Sequence, residues 1–477
     1  MQPFIAAIRH HSENRAEATA VRWRENDHSY RQLAAMLLRR TRTLEQEGLR
    51  PGDVVALEAV RGLGSIVDTG ALWNLGCVPV PFPRDSAPEL VADIQDRSGG
   101  QWILRPGSPP SRCLPSRRPS SADGKTALVL PTSGSTGVPK LVPLSAESIN
   151  DFVCWAEDTF GLSRRTVIGF APLNFDLSLM EIWATLYAGG TVELISDEQA
   201  LNPSALRAHL RKSAADFFQA VPFVFQNLAT GEDEPDLVLK TMRDVIVTGS
   251  AADAKTRTFL AMTFPNATFH NVYGSTETNN SFMFTTDVSQ LLQLPGLPIG
   301  LPLPGVQASI RDQDGRTLAG PARGELHVRT PFMMHGYVGS PGIGDELFPT
   351  GDIVTRDQSG VYSIESRNSR IVKVRGNRIN LDQVEAVISS HSSVEEAVVI
   401  SRTGHDTNSR IEALVRLRDE EQCTALRLRM HCSRHLPPYA IPASISLVSH
   451  PFPRTSTHKI DRNASERHHY ESAAINA

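Results

Sequence analysis

Short continuous apolar runs alternate with longer segments whose apolar residues recur every three or four positions. "TAVRW" and "HSY", separated by polar residues, predict a hairpin near the start. From Arg31 the spacing of Leu33, Met36 and Leu37 predicts a helix. "PGDVVALEAV" follows as a Pro-Gly turn and a buried strand. "GSIVDTGALWNLGCVPVPFP" predicts a helix ending near Gly76 that feeds another strand. The middle third keeps the rhythm in "TVIGFAPL", "TVELI", "DFFQAVP", "DVIVTGS" and "ATFHNVYG". Runs that are apolar throughout suit strands buried on both faces, and their alternation with helices predicts parallel α/β sheet. After residue 293 the texture turns to short strands and many turns, "LPGLPIGLPLPGVQASIRDQDG" and "GELHVRTPFMMHGYVG", which predicts a β-rich subdomain. From about residue 369 the order of "RIVKVRGNRINLDQVEAVISSH", "VEEAVVIS", "IEALVRL", a helix over 426–435 and "ASISLVSH" predicts a small α+β module. The expected class is therefore α/β: a large domain over 1–368, with two α/β subdomains and the β-rich one, and a small domain over 369–477.

Composition narrows the possibilities. A chain of 477 residues exceeds one ordinary core, which agrees with two domains. The formal charge of −4 argues against nucleic acid or an anionic membrane as the main partner. No window approaches the ~20 apolar residues of a membrane span, and "MQPFIAAIRHHSENR" lacks the basic lead and apolar length of a signal peptide. The five cysteines, Cys77, Cys113, Cys154, Cys423 and Cys432, are scattered and odd in number, which suits reduced thiols and a cytoplasmic location. Residues 106–121, "PGSPPSRCLPSRRPSS", read as a surface loop. Of the 48 basic residues only seven are lysines, so a lysine inside a motif carries more information here than an arginine does.

"TSGSTGVPK", Thr132 to Lys140, follows the apolar run "TALVLP" and reads as a strand leading into a glycine-rich loop. It lacks the Gly-Lys-Ser/Thr ending of a P-loop and the spacing of a dinucleotide fingerprint. Ser133, Ser135 and Thr136 carry hydroxyl donors, and Gly134 and Gly137 let backbone N–H groups approach an anion. A flexible Ser/Gly turn would have the same composition. "HCSRH" sets Cys432 beside two histidines, but no third and fourth ligand stands at zinc spacing.

Six ordered segments resemble the adenylate-forming superfamily of acyl-CoA synthetases, luciferases and nonribosomal-peptide adenylation domains. They are "TSGSTGVPK", "NFDLSLMEIW" at 174–183, "NVYGSTET" at 271–278, "FPTGDIV" at 348–354, "SRNSRIVKVRGNRINLDQVE" at 366–385 and "PRTSTHKIDR" at 453–462. The resemblance spans essentially the whole chain. It implies that ATP and Mg²⁺ are used, that a carboxylate attacks the α-phosphate, and that pyrophosphate leaves. Two anions meet in that step, so positive charge and N–H donors must offset their repulsion.

Role by role, the resemblance implies an ATP site made of Thr132, Ser133, Gly134, Ser135, Thr136, Gly137, Lys140, Gly249, Ser250, Asn271, Tyr273, Gly274, Asp352 and Arg367. Glu277 resembles the Mg²⁺ ligand, Thr276 the group bonded to the α-phosphate, Tyr273 the ring stacked on adenine, and Asp352 the carboxylate on the ribose hydroxyls, assisted by Arg367. Lys459 resembles the mobile lysine that bridges the substrate carboxylate and the phosphate, and with Thr276 and Glu277 it completes the catalytic set. His458 stands where the family usually has glycine. Ser369 occupies the hinge about which the small domain rotates, where the family usually has aspartate, and Lys373 and Gly376 lie in the segment that then faces the acceptor.

Asp176 implies an amino-acid substrate, because in amino-acid-activating members this aspartate pairs with the α-ammonium, and a buried carboxylate needs such a partner. Ser178 and Glu181 also match a capping box, with Asp176 favouring a helix start. By position the pocket would be lined by Leu177, Met180, Gln219, Ile246, Thr248, Val272, Asn280 and Ser281, several of them small or polar and none aromatic, which suits a small or polar side chain. Fifteen residues follow Arg462, so the acyl acceptor is expected on a separate phosphopantetheinylated carrier protein, or is coenzyme A. The expected activity is that of a stand-alone amino acid adenylation enzyme, like the D-alanine–carrier ligases. An acyl- or aryl-CoA ligase is the alternative within the family, and a catalytically silent binding protein on the same fold is the alternative outside it.

Overall fold

Six parallel strands form the middle of a nine-stranded sheet in the computed structural model. The structure describes the chain apart from residues 113–124, 133–139, 230–236, 313, 368–370, 376, 404–408, 419–422, 454–459, 461, 463, 468 and 470–477. The chain divides into two compact units, one of Met1–Arg84, Asp93–Pro131 and Leu141–Ser369, the other of Asp85–Ala92, Thr132–Lys140 and Arg370–Ala477.

In the larger unit the parallel strands lie in the order Thr268–Ser275, Asp244–Thr248, Phe217–Ala220, Thr166–Gly169, Thr191–Leu194 and Thr19–Trp23. Asn279–Thr286 and Asn26–Ser29 flank them antiparallel, and Leu301–Pro302 closes one end. Successive residues face opposite sides of a strand, so each apolar run feeds two cores. Val167, Phe217, Ile246 and Val272 enter one cluster; Ile168, Phe218, Val245, Val247 and Phe269 enter the other. The chain leaves Thr166–Gly169 for the strand on one side of it and then returns to build Phe217–Ala220 on the other. Such a reversal opens a crevice at the carboxyl ends of the strands, where open α/β sheets bind ligands.

Local chemistry sets the boundaries. The expected hairpin is Thr19–Trp23 with Asn26–Ser29, and the helix after it runs Tyr30–Gln46, held by a capping box between Ser29 and Gln32. Helix Leu63–Leu75 stops at Gly76, whose φ of 83° is the left-handed conformation that favours glycine. Val54–Ala59 and Val78–Pro83 pair in parallel in a separate four-stranded sheet. The β-rich region is a five-stranded antiparallel sheet ordered Thr317–Leu318, Gln307–Arg311, Ala322–Arg329, Phe348–Arg356 and Tyr362–Arg367.

The smaller unit contains a hairpin of Ile371–Val374 and Asn377–Asn380, helix Leu381–Ser389, antiparallel strands Val394–Thr403 and Ser409–Leu417, helix Ala425–His435, and strand Ser444–Val448 parallel to the second of these. The order is the expected α+β alternation with one extra hairpin strand. Its core holds Ile379, Val384, Ile388, Val399, Ile411, Val415, Leu428 and Cys432.

Candidate active site

The crevice residues follow from strand register. Gln219 lies beside Ile246, and Thr248 beside Val272. Ile246 and Thr248 are two apart on one strand, so these four side chains share one face. Met180 packs in the same cluster as Ile246 and Val272, and all three are buried. Five of the eight pocket residues read from the sequence are thereby brought together. Two of the polar ones are spent on the fold itself: the Thr248 hydroxyl donates to Val272 O at 2.7 Å, and Gln219 Nε2 donates to Leu177 O at 3.1 Å. The second bond ties Leu177 to the same set. Asn280 and Ser281 follow Asn279 at the start of the antiparallel strand, where the register slips between Tyr273↔Phe282 and Gly274↔Asn280 and leaves Ser281 as the extra residue. Gly274 is obligatory there, since a Cβ would meet Asn279 O at 2.1 Å.

Asp176 lies in the turn that follows strand Thr166–Gly169. Phe175 N donates to Pro172 O, Leu179 N donates to Asp176 O, and the Ser178 hydroxyl donates to Phe175 O at 2.7 Å. Beyond the turn, Leu179–Ala184 is a single π-helical stretch before Thr185–Ala188 resumes the α-helix. Such bulges recur at functional sites. The capping box between Ser178 and Glu181 does not form. Ser178 makes no side-chain cap, and Glu181, with no exposed surface, reaches back to the end of the strand. Its Oε2 accepts from Phe170 N at 2.8 Å and Ala171 N at 2.6 Å, and its Oε1 accepts from Gln219 Nε2 at 3.2 Å.

Glu277 sits in the three-residue turn between Thr268–Ser275 and Asn279–Thr286, beside half-buried Thr276. It is 3% exposed, its Oε1 accepts from the Tyr337 hydroxyl at 2.9 Å, and its carbonyl accepts from Met334 N. The Thr330 hydroxyl donates to Thr278 O at 2.6 Å, which fixes the other side of the turn. On the strand leading into this turn, the Tyr273 hydroxyl donates to Asp352 Oδ2 at 2.6 Å. This bond joins the parallel sheet to the five-stranded one, where Asp352 is the register partner of Arg367. Tyr273 is buried in the cluster with Phe282 and Tyr362. Asn271 Nδ2 donates to Pro298 O at 2.6 Å. Gly249, at φ 87°, ends strand Asp244–Thr248 against Val221, and Ser250 beyond it is exposed.

Thr132 and Lys140 bracket the glycine-rich loop, with the Thr132 hydroxyl donating to Lys140 O at 3.3 Å. Ser133, Gly134, Ser135, Thr136 and Gly137 lie outside the described residues, as do Ser369, Gly376, His458 and Lys459. So does most of the 106–121 loop; Ser111–Arg112 within it forms a short strand. Sequence reasoning missed Tyr337 and Thr330 as supports of Glu277, and it missed the contacts of Glu181. The available signal for Glu181 was a single acid inside the apolar run "LSLMEIWATLY".

Glu277 also bears on a metal. Among the described residues no group of three or more His, Cys, Asp or Glu side chains is arranged to hold one. Mg²⁺ takes one or two protein carboxylates and completes its shell with phosphate oxygens and water. A lone buried carboxylate on a tight turn fits that demand.

These side chains at the strand ends stand where the resemblance to the adenylate-forming enzymes expects them. The chain belongs to the AMP-binding enzyme family. The family's main domain matches residues 8–110 and 106–338, and the AMP-binding enzyme C-terminal domain matches 383–459. Enzymes of this family use ATP. The chain is 31% identical over 342 residues to the L-proline–[L-prolyl-carrier protein] ligase of Pseudomonas fluorescens, covering 72% of this chain and 68% of that one. It is 31% identical to the Streptomyces coelicolor ligase of the same name, covering 68% and 63%. The matches thus span about two thirds of the length of these relatives. Among solved structures, the amide bond synthetase McbA of Marinactinospora thermotolerans superposes with a TM-score of 0.82 at 23% identity, over 96% of this chain and 98% of that one, which bears out the fold. Among the described residues no helix is long and apolar enough to cross a membrane.

Proposed function

We propose that this chain activates an amino acid with ATP, forming aminoacyl-AMP and pyrophosphate, and then passes the acyl group to the phosphopantetheine thiol of a separate carrier protein or of coenzyme A. The observation that carries the reading is Asp176, half-buried in the turn whose neighbouring Leu177 carbonyl accepts from Gln219. A half-buried carboxylate there suits an ammonium group. Membership of the family and the likeness to carrier-protein ligases support the reaction class.

In the first step a carboxylate oxygen of the substrate bonds to the α-phosphorus while the bond from that phosphorus to the bridging oxygen breaks. The electron pair leaves with pyrophosphate. The loop over 132–140 would take the departing phosphates and Thr276 the α-phosphate. Glu277 would hold Mg²⁺, which when bound supplies charge neutralisation at the phosphates. Tyr273 would face the adenine and Asp352 the ribose, with Arg367 assisting. Lys459 would bring a point charge to the two anions that must meet, from a small lid domain over 369–477 that turns about Ser369. In the second step the acceptor thiolate attacks the acyl carbon and AMP leaves. The four described cysteines are free thiols, which supports a cytoplasmic location.

The test is ATP–pyrophosphate exchange across panels of amino acids and of carboxylic acids without an amine. Exchange confined to amino acids supports the reading. Exchange only with acids lacking an amine assigns the chain to the acyl- or aryl-CoA ligases, and exchange with neither favours a binding protein on this fold.

A further inference from the structure

The described hydrogen bonds of Glu181 tie together the parts of the crevice that would face the carboxylic substrate. Glu181 has no exposed surface. Its Oε2 accepts both backbone amides that follow strand Thr166–Gly169, and its Oε1 accepts from Gln219, whose same nitrogen donates to Leu177 O. The carbonyl of Phe170 is held from the other side by Arg61 Nε at 2.8 Å, and Arg61 in turn pairs with Asp197 at 3.0 Å. The turn bearing Asp176 is therefore fixed at its start by Glu181 and Arg61 and near its end by Gln219.

We propose that Glu181 is a positioning residue that sets the pose of the 170–178 turn and of Gln219, and so governs binding of the carboxylic substrate without governing binding of ATP. This rests on the reading of the crevice as the substrate pocket. Burial pushes the Glu181 carboxyl up to about 8, against the opposing pull of Ala171 N–H, Gln219, Phe170 N–H and the Arg61 charge. Arg61 is the charge acting on it from another segment; strand Phe217–Ala220 contributes the neutral Gln219. A proton on Oε1 would leave Oε2 accepting both amides while making Oε1 a weaker acceptor for Gln219. The state of Glu181 is thus read out at Gln219.

The test compares wild type with Glu181→Ala and Glu181→Gln in pyrophosphate exchange, using whichever carboxylic acid the wild type accepts. Glu181→Ala leaves two buried amides without an acceptor, and the KM for that acid is expected to rise ~10-fold or more, with the KM for ATP changed less than about twofold. For wild type the acid's KM is expected to fall as pH rises through about 8; Glu181→Gln, which cannot ionise, lacks that inflection. Equal rises in both KM values, or the same inflection in Glu181→Gln, would overturn the proposal. Hydrogen exchange supplies an arm that needs no turnover. Glu181→Ala should speed exchange at Phe170 and Ala171 by ~10-fold while strand Asp244–Thr248 stays protected. Unchanged protection at 170–171 would reject the clamp, whereas exchange with no acid at all would reject the functional reading and leave this arm to decide.

Discussion

Glu277, in the turn that joins two strands of the sheet, and Glu181, on the π-helical stretch that reaches back to another, are 3% and 0% exposed, and the fold treats them differently. Glu181 is met by backbone amides and one side-chain amide, donors that belong to the scaffold. Glu277 is met by a tyrosine hydroxyl, while the turn around it is fastened through backbone atoms by Met334 and Thr330. In one case the carboxylate holds the chain; in the other the chain holds the carboxylate. Burial alone therefore does not separate the two acids; their donors do.

The largest effect should come from breaking the Glu277 side of that contrast. If this carboxylate meets Mg²⁺ and phosphate, Glu277→Ala should lower the exchange rate on the order of 10²–10³-fold, since a metal's charge stabilisation is worth several kcal/mol. The loss should be partly recovered by raising Mg²⁺. A rate within twofold of wild type would place Glu277 with Glu181 among the scaffold acids.

Asp176 sharpens the comparison from the substrate side, because it rides on the turn that Glu181 fixes. Asp176→Asn should raise the amino-acid KM by ~10²-fold, in keeping with losing one partner of a desolvated charge pair. The ATP KM should stay close to wild type. A panel of deaminated acids should be affected far less; equal losses for both kinds of acid would remove the ammonium from the account.

Tyr273→Phe tests the nucleotide side more gently. It deletes the hydroxyl that donates to Asp352 at 2.6 Å and leaves the ring. A hydrogen bond to a charged group is worth ~1.5–3 kcal/mol, so the ATP KM should rise about tenfold with the amino-acid KM little changed. An amino-acid effect as large as the ATP effect would mean that the bond steadies the whole crevice.

These contacts also show what the sequence could and could not convey. The strands were legible because runs such as "DVIVT" and "TVELI" are short, apolar and bounded by turn residues. The motif residues were legible because their neighbours in sequence carry the pattern. The support of each carboxylate was not, because it comes from afar: Tyr337 is 60 residues from Glu277, Asp352 is 79 from Tyr273, and Gln219 is 38 from Glu181. The order of strands, and with it the crevice, depends on how the chain returns past Thr166–Gly169, which no local pattern encodes. The π-helical stretch over Leu179–Ala184 was hidden for a related reason. Ser178 and Glu181 have capping-box spacing, and only the distant amides of Phe170 and Ala171 draw the glutamate away from it.

The smallest predicted effect concerns stability and separates Glu181 from any acid held open for a ligand. Its folded-state pKa is raised by burial to about 8 from the ordinary 4.5. The folded chain therefore keeps this proton over a range where the unfolded chain has released it, and stability falls as pH rises across that range. The contribution is complete below about 4.5 and is lost as pH passes through about 8. Glu181→Gln carries no such proton. Measured by thermal unfolding between pH 6 and 9, wild type should lose about 2–4 °C relative to Glu181→Gln, most of it below about pH 8 and little above. Over the same range the wild-type KM for the carboxylic substrate should improve, because ionisation strengthens Oε1 as the acceptor for Gln219. Stability and substrate binding would then move in opposite directions with one proton, which is the behaviour of a carboxylate whose charge costs the core and serves the pocket. Melting curves that stay parallel across this range would show that Glu181 has the same charge folded and unfolded, and the contrast with Glu277 would have to rest on geometry alone.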